Sequence, residues 1–254
     1  MVAAVDQMAY VGEVPWHGLG NKIDADTPIE TWQVQAGLDW TVSLRPVQYY
    51  SPQGVLMPYK NRFVLARDTD NHPYSVVSNR YKPVQPRDVL EFFRDLLGRY
   101  NMQIETAGSL MDGHRVWALA KTGDVHKVLG VDEVQSYMLC ATSYDLTFST
   151  LAQFTSVRVV CNNTLQQALR GAAGRIVIPH FREFDAHAVH EQMGIGQSQW
   201  QAFTEALDLL AKTKLDVAKA FEVMNKVYKV DPLQPTTKDD AANIGHVNNV
   251  IQLF

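Results

Sequence analysis

Asn79-Arg80-Tyr81-Lys82-Pro83 sets two cations around an aromatic ring at the head of an amphipathic stretch. Cationic side chains hold phosphates and a phenol ring stacks on an unpaired base, so this grouping suits single-stranded nucleic acid. The competing reading is a structural turn with Tyr81 packed into a core. Arg45, Lys60, Arg62 and Arg67 add cations on or beside two strands. Arg62 and Arg67 are an odd number of positions apart, so they fall on opposite faces of one strand and cannot both line one groove. A second set, Arg158, Asn162, Asn163, Arg170 and Arg175, surrounds the strand-to-helix turn at Cys161. A helix N-terminus offers unpaired N–H groups and partial positive charge, which suit a phosphate. Asn162 or Asn163 acting only as a helix cap is the alternative there.

Other chemistry has less behind it. Cys161 as a nucleophile would need a base, and no protease-type signature surrounds it. His180, Asp185, His187, His190 and Glu191 form the only metal-like group, and His187 and His190 share a helix face at i, i+3. That spacing is not one of the strong zinc signatures. There is no P-loop, GxGxxG, HExxH, GxSxG or paired-carboxylate motif. The expectation is a non-enzymatic protein without cofactor or metal. Trp16-His17-Gly18 reads as a loop whose Trp16 latches onto a sheet by burial.

The elements that would position these residues follow from the pattern of the chain. Thr27-Pro28-Ile29-Glu30 predicts a helix over about 28–36, ended by Gly37. Strands are predicted from Asp39 to Tyr50, over Arg62–Arg67 and over Tyr74–Val77. An amphipathic helix is predicted over 86–99, and a hairpin turns at Met111-Asp112-Gly113. Further strands are predicted at Gln135–Ser143, Thr147–Val160 and Arg175–Ile178, with a helix from Asn162 or Asn163 to Arg170. Helices near 185–193 and 198–228 follow, and the first forty residues outside the helix read as irregular. The sum is an α+β fold: a largely antiparallel sheet with a packed helix in the first two-thirds, and a helical C-terminal third. The expected domains are a core at 1–182 and a helical region at 183–254, which ends on the apolar run Val-Ile-Gln-Leu-Phe and reads as truncated or as an oligomer contact.

Composition sets the outer bounds. The 254 residues are 46% hydrophobic and 20% charged, with ten Phe, ten Tyr and five Trp, which requires a packed core. No run of eighteen apolar residues is present, so no membrane span is expected. Two cysteines cannot form a disulfide scaffold, and the first residues lack the pattern of a secretion signal. A cytoplasmic protein is therefore expected. Net charge is -4, yet residues 41–102 and 151–182 each carry +4. The remaining blocks, 1–40, 103–150 and 183–254, carry -5, -3 and -4. A local phosphate-binding face is compatible with an acidic whole, as is cancellation of the blocks by the fold.

Four stretches in order resemble the phage/plasmid-like proteins, a family of unknown function carried by bacteriophages, plasmids and integrated elements. They are Val14-Pro15-Trp16-His17-Gly18-Leu19-Gly20, Gly37-Leu38-Asp39-Trp40, Val77 to Gln85, and Val159-Val160-Cys161-Asn162-Asn163-Thr164 through Leu169. The block over 40–99 is also similar at fold level to the core of Rad52-type single-strand annealing proteins. The resemblance implies a DNA transaction of a mobile element: binding of single-stranded DNA and strand annealing by a homo-oligomer. An interaction protein without DNA affinity, and a divergent metal-dependent enzyme, are the alternatives.

Overall fold

The computed structural model describes residues 4–99, 102–170, 175–182 and 196–214, together with Phe184, Asp185, Val189, Lys219, Glu222, Val223 and Lys226. The chain divides into two units, Met1–Glu205 and Ala206–Phe254. The first unit holds two sheets. Strands β1 (Val5–Tyr10), β2 (Asn21–Lys22), β6 (Gln103–Leu110), β7 (Arg115–Val128), β8 (Asp132–Ser143), β9 (Thr150–Thr155) and β10 (Ile176–Ile178) form one, in the order β10-β9-β8-β7-β6-β1-β2. The second is the meander β3 (Val42–Tyr50), β4 (Leu56–Arg67) and β5 (Pro73–Ser78). All pairings are antiparallel except β1 with β2. The helices are α1 (Ile29–Gln35), α2 (Pro86–Glu91), α3 (Arg94–Arg99), α4 (Asn162–Arg170) and α5 (Gly196–Lys212).

This is the expected mixed α+β class, dominated by sheet. Of the expected helical C-terminal third, α5 is helical through Lys212. The helix expected at 185–193 and the continuation toward 228 lie almost wholly outside the described residues.

Alternation along the central strands divides the core in two. Val116, Ala118, Ala120, Met138 and Cys140 face a cluster with α1, α2 and the meander residues Val42, Leu65 and Val77. Their neighbours Trp117, Leu119, Tyr137, Leu139 and Ala141 face the opposite cluster, with Leu165 and Ala168 of α4. The large sheet is thus a middle layer, covered on one side by helices and the meander and on the other by α4.

Several local outcomes differ from the sequence reading: β4 begins at Leu56 rather than Arg62, β7 runs to Val128 rather than Thr122, and β8 begins at Asp132 rather than Gln135. β1 was expected to be irregular, yet Met8, Ala9 and Tyr10 are all buried, because the strand is covered on both faces and shows no alternation. Opposite Met8 stands Gly108, where a Cβ would collide with the Gln7 carbonyl and lie 2.7 Å from the Met8 Cβ. The helix over 86–99 is split at Phe92-Phe93. Both rings are fully buried and meet edge to face at 4.9 Å. Adjacent residues on a straight helix point about 100° apart. The turn tightens instead, with the Phe93 N–H donating to Leu90, so both rings reach the core. Finally, β9 ends at Thr155 rather than near Val160.

Cys140 and Cys161 are both buried free thiols. No described helix is long and apolar enough to cross a membrane.

Candidate nucleic-acid interface

β3 and β4 run on past the packed part of the meander. Pro46 pairs with Phe63, and the next pair is Gln48 with Pro58. One residue of β3 therefore faces the four-residue stretch Tyr59-Lys60-Asn61-Arg62 of β4, a bulge in which Asn61 takes φ 61°. Bulges bend and twist a ribbon and re-aim its side chains. Beyond it, residues 46–62 form an arm in which every residue but Val47 and Ser51 is exposed. The arm is closed by the turn at Ser51, where the Val55 N–H donates to Oγ and the Ser51 N–H donates to the Val55 carbonyl.

The arm carries Tyr49, Tyr50 and Tyr59 on its surface, Tyr50 at 74% exposure. Tyr49 and Tyr59 meet edge to face at 6.3 Å. With Met57, Pro58 and Lys60 they line an open notch of about 660 Å³. Lys60 and Arg62 are exposed and make no ion pair among the described residues, and residues 46–62 contain no acid. Arg62 pairs across to Ser78 at the end of β5, so exposed Arg80 follows two residues on at the same end of the meander. Lys60, Arg62 and Arg80 therefore gather at one end of one small sheet.

The other expected site residues have different surroundings. Arg45 donates to Asp68 at 2.7 Å, and Ser43 and Thr41 also donate to that carboxylate. These bonds, Ser43 first, hold the Asp68 carboxyl below its usual range. Arg67 forks onto Asp70 and reaches Asp112 at 3.1 Å, tying the meander to the β6–β7 turn. Lys82 is exposed, and its backbone N–H donates to the His180 carbonyl.

Tyr81 was expected to stack on bases, and the structure corrects this. Its ring is 8% exposed and stacks on His180 at 4.7 Å, which leaves no open face for a base. Among the described residues the Tyr81 hydroxyl has no hydrogen-bond partner. Burial pushes the His180 imidazole below its usual value, with the Phe148 backbone opposing part of the shift. His187 and His190 lie outside the described residues, and no metal-binding group of three or more ligands occurs among the described ones.

The second expected set is largely taken up by the fold. Arg158 donates to buried Glu105 at 2.7 Å and to the carbonyls of Val11 and Glu13, and Lys121 holds the other Glu105 oxygen at 3.0 Å. It is a strut for the N-terminal segment, not an open cation. Asn162 accepts from buried Arg115 at 2.6 Å, and Arg115 also reaches Asp145. The cap of α4 is made by Thr164, whose Oγ1 accepts from the Val160 and Cys161 N–H groups, the return arm of a capping box. Arg175 donates to Gln153 and to the Leu169 carbonyl, closing the last turn of α4. Asn163 and Arg170 remain exposed. Because α4 and the meander pack on opposite faces of the large sheet, the two expected sets do not form one groove.

The N-terminal latch is also made differently. Trp16 is 67% exposed, and His17 makes the tie through its Nε2 to the Val160 carbonyl at 2.8 Å. The sequence reading missed Tyr49, Tyr50, Met57 and Tyr59. A usable signal was present, namely an aromatic pair abutting a Ser-Pro-Gln-Gly turn within an acid-free stretch.

Residues 73–254 match a family model described as a domain of unknown function (DUF932). The arm at 46–62 precedes the matched segment, and Arg80 lies within it. No curated protein and no solved structure matches the chain.

Proposed function

The chain belongs to the DUF932 family, a domain of unknown function, and from that starting point we infer that it binds single-stranded nucleic acid through the arm at 46–62. The observation that carries the reading is a notch lined by exposed Tyr49 and Tyr59 and bordered by Lys60, with exposed Tyr50 elsewhere on the arm, Arg62 and Arg80 at its base and no carboxylate on it. Stacking on aromatic rings with cations along the backbone suits unpaired strands of any sequence, since every base has a π-face. A duplex hides those faces. The reading is non-enzymatic and needs no cofactor. The resemblance to phage and plasmid proteins supports a role in a mobile element, with strand annealing as the transaction, in the cytoplasm of the host cell.

The test is fluorescence anisotropy with labelled single-stranded and duplex oligonucleotides. The expected result is preferential binding of the single strand, weakened by Tyr49→Ala and by Tyr59→Ala. Each ring is worth about 1–3 kcal/mol per stacked base, or roughly 5- to 150-fold in affinity. No binding to either oligonucleotide overturns the reading and favours a protein-interaction role. Binding that ignores both substitutions moves the site off the arm.

A further inference from the structure

The β7–β8 hairpin makes a second arm. Its pairing runs from Arg115 opposite Ser143 out to Val128 opposite Asp132, with a register shift between Lys121 and Val125. Beyond that shift the ribbon leaves the packed sheet. The outer part exposes Val125, Leu129 and Val131, the last at 78%. Such a group of aliphatic side chains on one projecting tip marks an interaction surface. Residues 122–135 carry Asp124, Asp132 and Glu133 against Lys127, a net charge of -2. Lys127 and Glu133 pair with each other at 2.9 Å, so Asp124 and Asp132 supply the excess.

The arm at 46–62 is the inverse. It carries Lys60 and Arg62 with no acid, a net charge of +2, and its apolar surface is a notch edged by Tyr49, Met57 and Tyr59. One arm is anionic with a protruding aliphatic tip. The other is cationic with an aromatic recess of about 660 Å³. We propose that the acidic arm of one copy of this chain docks on the cationic arm of the next, with Leu129 and Val131 entering the notch beside Tyr49 and Tyr59 and with Asp132 facing Lys60 or Arg62. The two patches are different, so the contact is heterologous and repeats head to tail. Like arms repel one another, which sets the register of the contact. The docking shares the cationic arm with the nucleic-acid reading but does not rest on it, and acidic arm and nucleic acid cannot fill the notch together.

Light scattering across a concentration series tests this without any nucleic acid. Three forms of the full chain are compared: the unchanged protein, Lys60→Glu with Arg62→Glu, and Asp132→Lys with Glu133→Lys. All four positions are exposed, and circular dichroism verifies the fold of each variant. The expected result is a mass above the monomer for the unchanged chain, monomers for each reversed variant alone, and recovery of the larger mass when the two variants are mixed. Mixing pairs the new acidic arm of one variant with the new basic arm of the other. A monomeric unchanged chain, or reversed variants that still assemble, or a mixture that stays monomeric overturns the proposal. Leu129→Asp gives a check that leaves the cationic arm intact: it too is expected to yield monomer, and assembly by it refutes the docked tip. Failure of nucleic-acid binding is read separately, in anisotropy.

Discussion

Removing Lys60 and Arg62 together gives the sharpest quantitative test of the arm. Both are exposed, neither makes an ion pair among the described residues, and both lie in the bulged stretch of β4. Their loss should therefore leave the fold intact and remove phosphate contacts. Each phosphate neutralised on a single strand contributes about -0.7 to the slope of log affinity against log salt. Two contacts predict a slope shallower by about 1.4 in Lys60→Ala with Arg62→Ala. Between roughly 50 and 200 mM salt, the unchanged chain should lose about sevenfold more affinity than the double variant. Anisotropy titrations at four or more salt concentrations measure this directly. An unchanged slope would refute the placement of the phosphate contacts on the arm, even if the variant bound more weakly. The same substitution made at Arg45 should change the slope less, since Arg45 is already held by Asp68 at 2.7 Å.

Three further outcomes test the rest of the structure. Arg158→Ala strips one partner from Glu105, a carboxylate with 4% side-chain exposure, and should destabilise the fold toward the lower end of roughly 3–5 kcal/mol. Lys121 still holds the other oxygen, and a loss below about 1 kcal/mol in urea unfolding, the worth of a surface pair, would sink the strut. His180 has a folded pKa below its usual value of 6.5, so the unfolded chain binds the proton more readily. Stability should then fall as pH drops below 6.5, and His180→Phe should flatten that fall; an unchanged pH profile contradicts the assignment. His17→Ala should cost about 1 kcal/mol through its bond to Val160. Trp16→Ala should stay within about 0.5 kcal/mol, as an exposed side chain does. Thermal melts that reverse this order would restore the Trp16 latch.

Much of the local structure is legible along the chain. The bounds of α1 follow from Thr27-Pro28 and Gly37, and α4 emerges where expected at Asn162–Arg170. The hairpin around Met111-Asp112-Gly113 is real, with all three residues at positive φ. The meander strands and the inner parts of β7 and β8 are likewise visible as runs broken by turn residues, whereas the outer parts of β4, β7 and β8, which form the two projecting arms, are not read as strand. These features depend on neighbours within a few residues, so local sequence determines them.

What the tertiary structure decided is which of these residues remain available. Arg158 and Lys60 look alike in the sequence. One meets Glu105 across 53 positions, and the other lies on a ribbon with nothing packed over it. Tyr81 and Tyr59 both stand next to cations, yet the first is stacked on His180 from a turn nearly a hundred residues away, and the second faces solvent. β1 is hidden for the same reason, since burial on both faces erases the alternation that marks a strand. Local pattern encodes period and turns. Whether a cation is open to a partner or an aromatic ring is covered depends on strand register and layer packing, which join residues far apart in the chain and leave no trace in their spacing.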